Sequence, residues 1–215
     1  MRLPYSKKNI IPIHMVNYNF IHIGKCGGST LKTVLRQYQK INLYIFHCDV
    51  NSALKHKYNN YIITIRDPIS RFVSAFNWKK YRTKDVTKKM FSRRNERIGF
   101  KYWKTVNKLA ENIYNNDGTL NKKAHSFIKN DCNQLEYDIN YYLKDIIPYI
   151  TESNCTVIRQ EHLNNDMKTK LNIDVTIRNK DVSSNKNYPN NKYLSKKGIK
   201  NLKKYLVNDY KCIET

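Results

Sequence analysis

Acidic residues are scarce in this sequence: 17 Asp and Glu face 40 Lys and Arg, leaving a formal net charge of +23 over 215 residues. Charge of this size speaks to partners rather than to fold, and it points to polyanions: nucleic acid, an anionic membrane face, acidic polysaccharide or phosphorylated nucleotides. The abundance of Lys, Asn, Ile and Tyr follows an AT-rich coding bias, which accounts for part of the lysine but not for the shortage of acids. Glycine is scarcer still, with six in the chain, and no internal repeat or Pro/Gly/Ser-rich linker is present, which excludes collagen-like sequences. The five cysteines, Cys26, Cys48, Cys132, Cys155 and Cys212, are odd in number and include no Cys-x-x-Cys pair. That argues against a structural zinc site and a disulfide-framed miniprotein, and leaves at most one Cys132–Cys155 bridge in an oxidising compartment. Long apolar runs are missing too. The first 23 residues, broken by Pro4, Lys7, Lys8, Pro12 and His14, hold neither a signal-peptide core nor a membrane span, so the chain as it stands reads as soluble, with the cytoplasm as default compartment. Core material is plentiful: 40% hydrophobic and 12% aromatic residues suffice to bury a core despite a mean hydropathy of −0.74.

Three of the glycines cluster as Gly24, Gly27 and Gly28. Before them, Asn17 to Ile23 reads as a strand; after them Leu31, Val34, Leu35 and Tyr38 form a helical stripe, with Ser29 and Thr30 as the expected N-caps. A second unit follows. Leu43 to Phe46 is a short strand ending at His47, and Tyr61 to Ile65 is another that runs into Arg66-Asp67-Pro68. Pro68 suits a first helical turn, and Ile69, Phe72, Val73 and Phe76 continue as a stripe. Strands alternating with helices predict an α/β protein with a parallel sheet whose ligands bind at the carboxyl ends of the strands, where both turns lie. From Lys79 to Lys104 there are eleven Lys/Arg against two acids, with Trp78, Tyr81, Phe91, Phe100, Tyr102 and Trp103 in or beside the stretch; helices with a mobile connection are expected there. Residues 112–123 read as a turn or loop, Ile139–Ile150 as amphipathic, Thr156–Arg159 as a late strand, 181–191 as an irregular polar loop, and Leu194–Tyr210 as a basic helix with Ile199, Leu202, Tyr205 and Leu206 inward.

Gly24-Lys25-Cys26-Gly27-Gly28-Ser29-Thr30, between strand and helix, is suited to hold a phosphate on backbone N–H groups at a helix N-terminus. It is not a Walker A loop, in which lysine follows the glycines. Arg66 sits at a strand end and Ser74 on the next helix, off the apolar stripe, so that both can converge on one phosphate; an arginine fork matches phosphate oxygens.

At these residues a resemblance becomes specific. Ile23-Gly24-Lys25-Cys26-Gly27-Gly28-Ser29-Thr30-Leu31 resembles the 5′-phosphosulfate loop of sulfotransferases that use 3′-phosphoadenosine 5′-phosphosulfate (PAPS), usually Pro-Lys-Thr-Gly-Gly-Thr-Ser-Leu. Arg66-Asp67-Pro68-Ile69-Ser70-Arg71-Phe72-Val73-Ser74 matches their 3′-phosphate signature, Arg-Asp-Pro, two residues, Arg, two residues, Ser. Weaker likenesses to the carbohydrate branch run through Val157–Asp166 and through Asn185-Lys186, Tyr193-Leu194-Ser195 and Asn208-Asp209. The chain departs from the pattern at Gly24 for Pro and at Cys26 for Thr or Ser, changes that leave the backbone cradle intact.

The resemblance implies a P-loop-NTPase-like three-layer fold with a central parallel sheet flanked by helices. It spans one sulfotransferase domain, with residues 1–16 an N-terminal extension and 79–130 a basic helical insertion contributing to the acceptor site. It implies sulfuryl transfer from PAPS, without a metal, to a hydroxyl or amine of a carbohydrate acceptor that is expected to be anionic. The donor would be held by Lys25, Cys26, Gly27, Gly28, Ser29, Thr30, Arg66, Ser74, Asn185 and Lys186. The acceptor would meet Asp49, Arg71, Trp78, Lys79, Lys80 and Arg82. Lys25 at the loop mouth is the candidate to stabilise the leaving phosphate. His47 is the favoured base, since neutral imidazole suits that role near pH 7 and the heparan-type uronyl 2-O-sulfotransferases have a histidine at a similar place; Asp49 is the runner-up. The other histidines, His22 among them, and Cys26 are read as structural, and the Asn154-Cys155-Thr156 sequon matters only in a secreted chain. Animal relatives of this family act in the Golgi lumen, which makes the secretory lumen the alternative compartment. Two competing readings remain: a nucleotide-dependent phosphotransferase using Asp67 as a magnesium ligand, and a basic nucleic-acid-binding module.

Overall fold

Four short strands rich in β-branched and aromatic residues assemble into one sheet in a computed structural model that describes residues 16–37, 41–47, 51–55, 58–84, 94–174 and 191–214. Strands β1 (Val16–Ile21), β2 (Ile41–Phe46), β3 (Tyr61–Ile65) and β4 (Cys155–Arg159) are all parallel, in the order β2-β1-β3-β4. The register pairs Val16 with Ile41 through Ile21 with Phe46, Asn19 with Tyr61 through Ile21 with Ile63, and Tyr61 with Cys155 through Ile65 with Arg159. The inner strand β3 is buried on both sides, which is why Tyr-Ile-Ile-Thr-Ile reads as a nearly unbroken apolar run. Helix α1 (Gly28–Leu35) connects β1 to β2, and α2 (Asn51–Leu54) lies between β2 and β3. The chain then reverses direction across the sheet, so the space between the ends of β1 and β3 is a topological switch point.

Successive residues of a strand face opposite ways. Phe20, Ile62 and Ile158 pack with Leu31, Val34 and Leu35 of α1 and with Met167 of α9 (Leu163–Leu171) on one face. Ile21 and Ile63 pack with Ile139, Tyr142 and Leu143 of α8 (Ile139–Leu143) and with Ile213 of α11 (Val207–Glu214) on the other. The result is three layers. A third cluster lies away from the sheet: α3 (Pro68–Lys84), α4 (Arg94–Tyr102), α5 (Val106–Glu111), α6 (Lys122–Ser126), α7 (Asn133–Glu136) and α10 (Lys196–Tyr205) bury Phe72, Phe76, Phe100, Trp103, Phe127 and Leu202 among them. The stripe expected after Pro68 is the one that packs here.

Several expectations are corrected. Ser29 and Thr30 do not cap α1: the cap is Gly27, in a left-handed conformation, and its carbonyl accepts from Thr30 N–H (3.0 Å) and Leu31 N–H (3.2 Å). The single C-terminal helix is two, broken at Leu206, and Ile199 is 38% exposed while Leu202 is buried. The amphipathic segment is divided into α8, which ends at Leu143, and a short 3-10 turn, Ile147–Tyr149, that contains Pro148. Residues 112–123 do hold the expected turn, closed by a Tyr114–Leu120 bridge, after which Asn121 caps α6. Cys132 and Cys155 are both free thiols, one inside the helical cluster and one on β4.

Candidate active site

The carboxyl ends of all four parallel strands contribute. After β1 the chain turns through Gly24-Lys25-Cys26-Gly27 into α1, with Lys25 at φ 71° and Gly27 at φ 81°. A left-handed lysine is strained, and such strain persists only where its surroundings enforce it. Both following glycines are held by neighbours: a Cβ on Gly27 would lie 2.9 Å from Gln160 Cγ, and one on Gly28 would lie 2.1 Å from His22 Cδ2. Of the first-turn N–H groups of α1, that of Thr30 is taken by the Gly27 carbonyl, while those of Gly28 and Ser29 have no acceptor within the helix.

After β3, Arg66 reaches across the switch point and its guanidinium donates to the Lys25 carbonyl (3.3 Å). Its Nε is buried without a hydrogen-bond acceptor, with the Glu161 carboxylate 4.0 Å away. Glu161, beyond the end of β4, accepts from Asp67 N–H (3.1 Å). Asp67 is spent on structure: one carboxylate oxygen accepts from Ser70 N–H (2.7 Å), capping α3, and the other from the Tyr210 hydroxyl of α11 (3.1 Å). The glycine-loop turn and the arginine turn are therefore in contact.

Arg71 and Lys79 stand elsewhere than expected. Arg71 is 1% exposed and donates to the carbonyls of Gly24 (3.1 Å), Gln134 (3.2 Å) and Tyr137, so it clamps the back of the loop and does not face an acceptor. Lys79 is buried in an ion pair with Glu96 of α4 (3.3 Å). Trp78, Lys80 and Arg82 remain half-buried on α3: Lys25 Nζ lies 4.9 Å and the Arg82 guanidinium 5.3 Å from the Trp78 ring centre, while Lys80 Nζ donates to the Lys104 carbonyl. Ser74 is half-buried on α3, Ser29 exposed and Thr30 half-buried on α1. Asp49, Asn185 and Lys186 lie outside the described residues.

His47, exposed at the end of β2, is oriented by β1. Its Nδ1–H donates to the His22 carbonyl (2.7 Å), which leaves the lone pair on Nε2. Its ring lies 4.5 Å from the His22 ring at 23°, with Tyr142 6.3 Å away at 19°, and His22 continues the column onto Phe20 at 5.6 Å. The direction a Cβ would take at Gly24 leads to Gln134 Oε1 (3.2 Å), Tyr142 OH (3.6 Å) and His47 Cε1 (3.9 Å), so the base candidate stands beside the loop mouth.

Burial, then the charges of Arg66 and Arg71, bring the Lys25 ammonium down to a pKa of about 8. Burial and the neighbouring His47 push His22 down to about 4, leaving that ring neutral. Burial drives the Cys26 thiol up to about 12, which removes it as a nucleophile. His22, Gln134, Tyr142, Gln160 and Glu161 are the site residues that sequence reasoning missed as participants. For His22 and Gln160-Glu161 a signal existed, because each directly follows a strand that ends at the site; Gln134 and Tyr142 arrive from distant helices with no local sign.

Such an arrangement can bind an anion between two turns and accept a proton beside it. Compared with protein-family models, with curated proteins and with solved structures, the chain finds no match in any of the three.

Proposed function

We propose that this chain is a sulfotransferase that moves the sulfuryl group of PAPS to a hydroxyl or amine of a carbohydrate acceptor, on a P-loop-like cradle. One observation supports the reading: Arg66 donates to the Lys25 carbonyl across the switch point, so the two turns whose sequences resemble donor-binding loops are adjacent. The residues there fit a doubly phosphorylated nucleotide. Lys25, Arg66 and Arg71 concentrate positive charge, Arg66 Nε lacks an acceptor, and the N–H groups of Gly28 and Ser29 at the start of α1 offer donors.

The donor supplies an activated sulfur. The Lys25 ammonium meets the negative charge that grows on the leaving phosphate as its bond to sulfur breaks, preorganised charge of the kind typically worth about 3 kcal/mol at the barrier. His47 Nε2 takes the acceptor's proton as the new bond to sulfur forms, with the tautomer held by the His22 carbonyl. Arg66, with Ser74 on α3, is assigned to the 3′-phosphate. A magnesium role for Asp67, the phosphotransferase alternative, is disfavoured because both its carboxylate oxygens are already engaged.

The test is calorimetry with 3′,5′-adenosine bisphosphate against ATP with magnesium, followed by labelled-sulfate transfer from PAPS to a glycan panel. Tight bisphosphate binding lost in Lys25→Ala, with transfer abolished but bisphosphate binding kept in His47→Ala, is the expected result. Preference for ATP with magnesium, or transfer surviving both changes, overturns the assignment.

A further inference from the structure

We propose that a linear polyanionic polysaccharide docks on a lysine–aromatic track that leaves the candidate transfer site along α3 and continues over α4, α5, α6 and α10. Its parts are joined by side-chain contacts and by the packing of the helices that carry them. Lys25 and Arg82 flank Trp78; Lys80, two residues on, donates to the carbonyl of Lys104 at the start of the next segment. From there Tyr102, 43% exposed, carries the ammonium groups of Lys108 of α5 (4.9 Å) and Lys123 of α6 (3.4 Å) against its ring. Tyr114 carries that of Lys204 of α10 (4.2 Å), and α10 packs on α5.

Positive charge outweighs negative on this face. Helix α10 presents Lys196, Lys197, Lys200 and Lys203 beside Lys204, all exposed, and contains no acid. Two carboxylates lie nearby and are held ionised by neutral donors, Glu111 accepting from the Ser195 hydroxyl (2.6 Å) and Asp117 from Thr119 N–H (2.9 Å) and its hydroxyl (2.6 Å), but they are outnumbered by the lysines of α5, α6 and α10. Among the described residues, none of the lysines on α5, α6 and α10 forms an ion pair within 4.0 Å.

The same contacts choose between polyanions. Single-stranded nucleic acid binds by stacking bases on open aromatic faces. Here Trp78, Tyr102 and Tyr114 each have a cation over the ring, so the surface offers ammonium point charges held in position by rings. A chain of sulfates or carboxylates spaced along a sugar backbone meets that description. The end of the track at Lys25 rests on the sulfuryl-transfer reading; the surface over α4, α5, α6 and α10 stands on its own charges.

The experiment measures binding of fluorescent sulfated glycosaminoglycan oligosaccharides of increasing length, and of a single-stranded oligonucleotide of matched charge, as a function of salt. Two triple variants are compared, Lys108→Glu/Lys123→Glu/Lys204→Glu on the track and Arg36→Glu/Lys55→Glu/Lys144→Glu at exposed positions of other elements, with the same change in net charge and with thermal melting to verify folding. The track triple is expected to weaken binding of the long oligosaccharides by about tenfold or more and to lower the salt slope by about one per lysine, with the control triple changing affinity less than about twofold. Equal losses in both triples would mean that net charge alone attracts the glycan, and tighter binding of the oligonucleotide would mean that the partner is nucleic acid; either overturns the proposal. Track-specific binding in a protein that ignores the bisphosphate would sink the sulfuryl-transfer reading and leave the surface standing.

Discussion

Lys25 combines a left-handed backbone with burial and two cationic neighbours, and the burial and the neighbours raise the cost of its ammonium. Its pKa falls from 10.5 to about 8, so between those values the unfolded chain holds a proton that the native chain has released, and stability rises with pH across that window. An anion in the site needs the opposite state. Affinity for 3′,5′-adenosine bisphosphate is therefore expected to fall as pH rises through about 8, and Lys25→Arg, which stays charged, should flatten the curve; calorimetry between pH 6.5 and 9.5 reads both. The paired glycine tests the ring column. A Cβ at Gly28 lands on the His22 ring, which in turn stacks on His47. Gly28→Ala should cost about 1–3 kcal/mol in denaturant unfolding and shift the nitrogen resonances of His47. Shortening the ring in Gly28→Ala/His22→Ala should recover part of the stability; additive losses would mean the two residues do not press on each other.

At the scale of elements, the short C-terminal helix α11 does more than close the sheet. Tyr210 fixes Asp67 at the start of α3, and Asp209, buried, accepts from Asn140 N–H of α8 (2.9 Å) while its other oxygen has no hydrogen-bond partner. Burial, with repulsion from Asp138, raises the Asp209 carboxyl from 3.8 to about 6 against the pull of Arg71. Below its ordinary value it is neutral in both states; between about 4 and 6 the native chain keeps a proton the unfolded chain loses, so stability declines as pH rises over that interval and stays lowered above it. Asp209→Asn keeps the accepting oxygen and removes the charge. It should gain on the order of 1–2 kcal/mol at pH 7 and lose the decline between pH 4 and 6 in thermal melts; a less stable variant at pH 7 would assign Asp209 a stabilising partnership with Arg71.

For the whole molecule the governing quantity is +23. Self-repulsion of that size opposes the compact state, and salt screens it over about 8–10 Å at physiological strength. The melting temperature is expected to rise as sodium chloride increases from low to physiological concentration; a fall would mean that the ion pairs, such as Arg159–Asp166 and Lys79–Glu96, outweigh the repulsion. The polysaccharide track belongs to the same scale, since it requires three packed helices to place lysines that are far apart in sequence on one surface.

What the sequence determined by itself is local. Tyr61–Ile65 and the start of α3 at Pro68 stand where the apolar run and the proline place them, because periods of two and 3.6 residues are set by the backbone alone. So is the succession of strand, turn and helix that brings Lys25, His47 and Arg66 to strand ends. Only the tertiary structure decided which polar groups are left for chemistry. Arg71 and Lys79 look like surface cations in the sequence, yet carbonyls near Gln134 and a carboxylate at Glu96 claim them. Ser29 looks like a cap, yet Gly27 takes that place, its left-handed turn and the missing Cβ of Gly28 leaving room for Gln160 and His22. Long side chains and buried partners meet across distances that no local pattern encodes, so the supply of charge is a property of the sequence and its allocation a property of the fold.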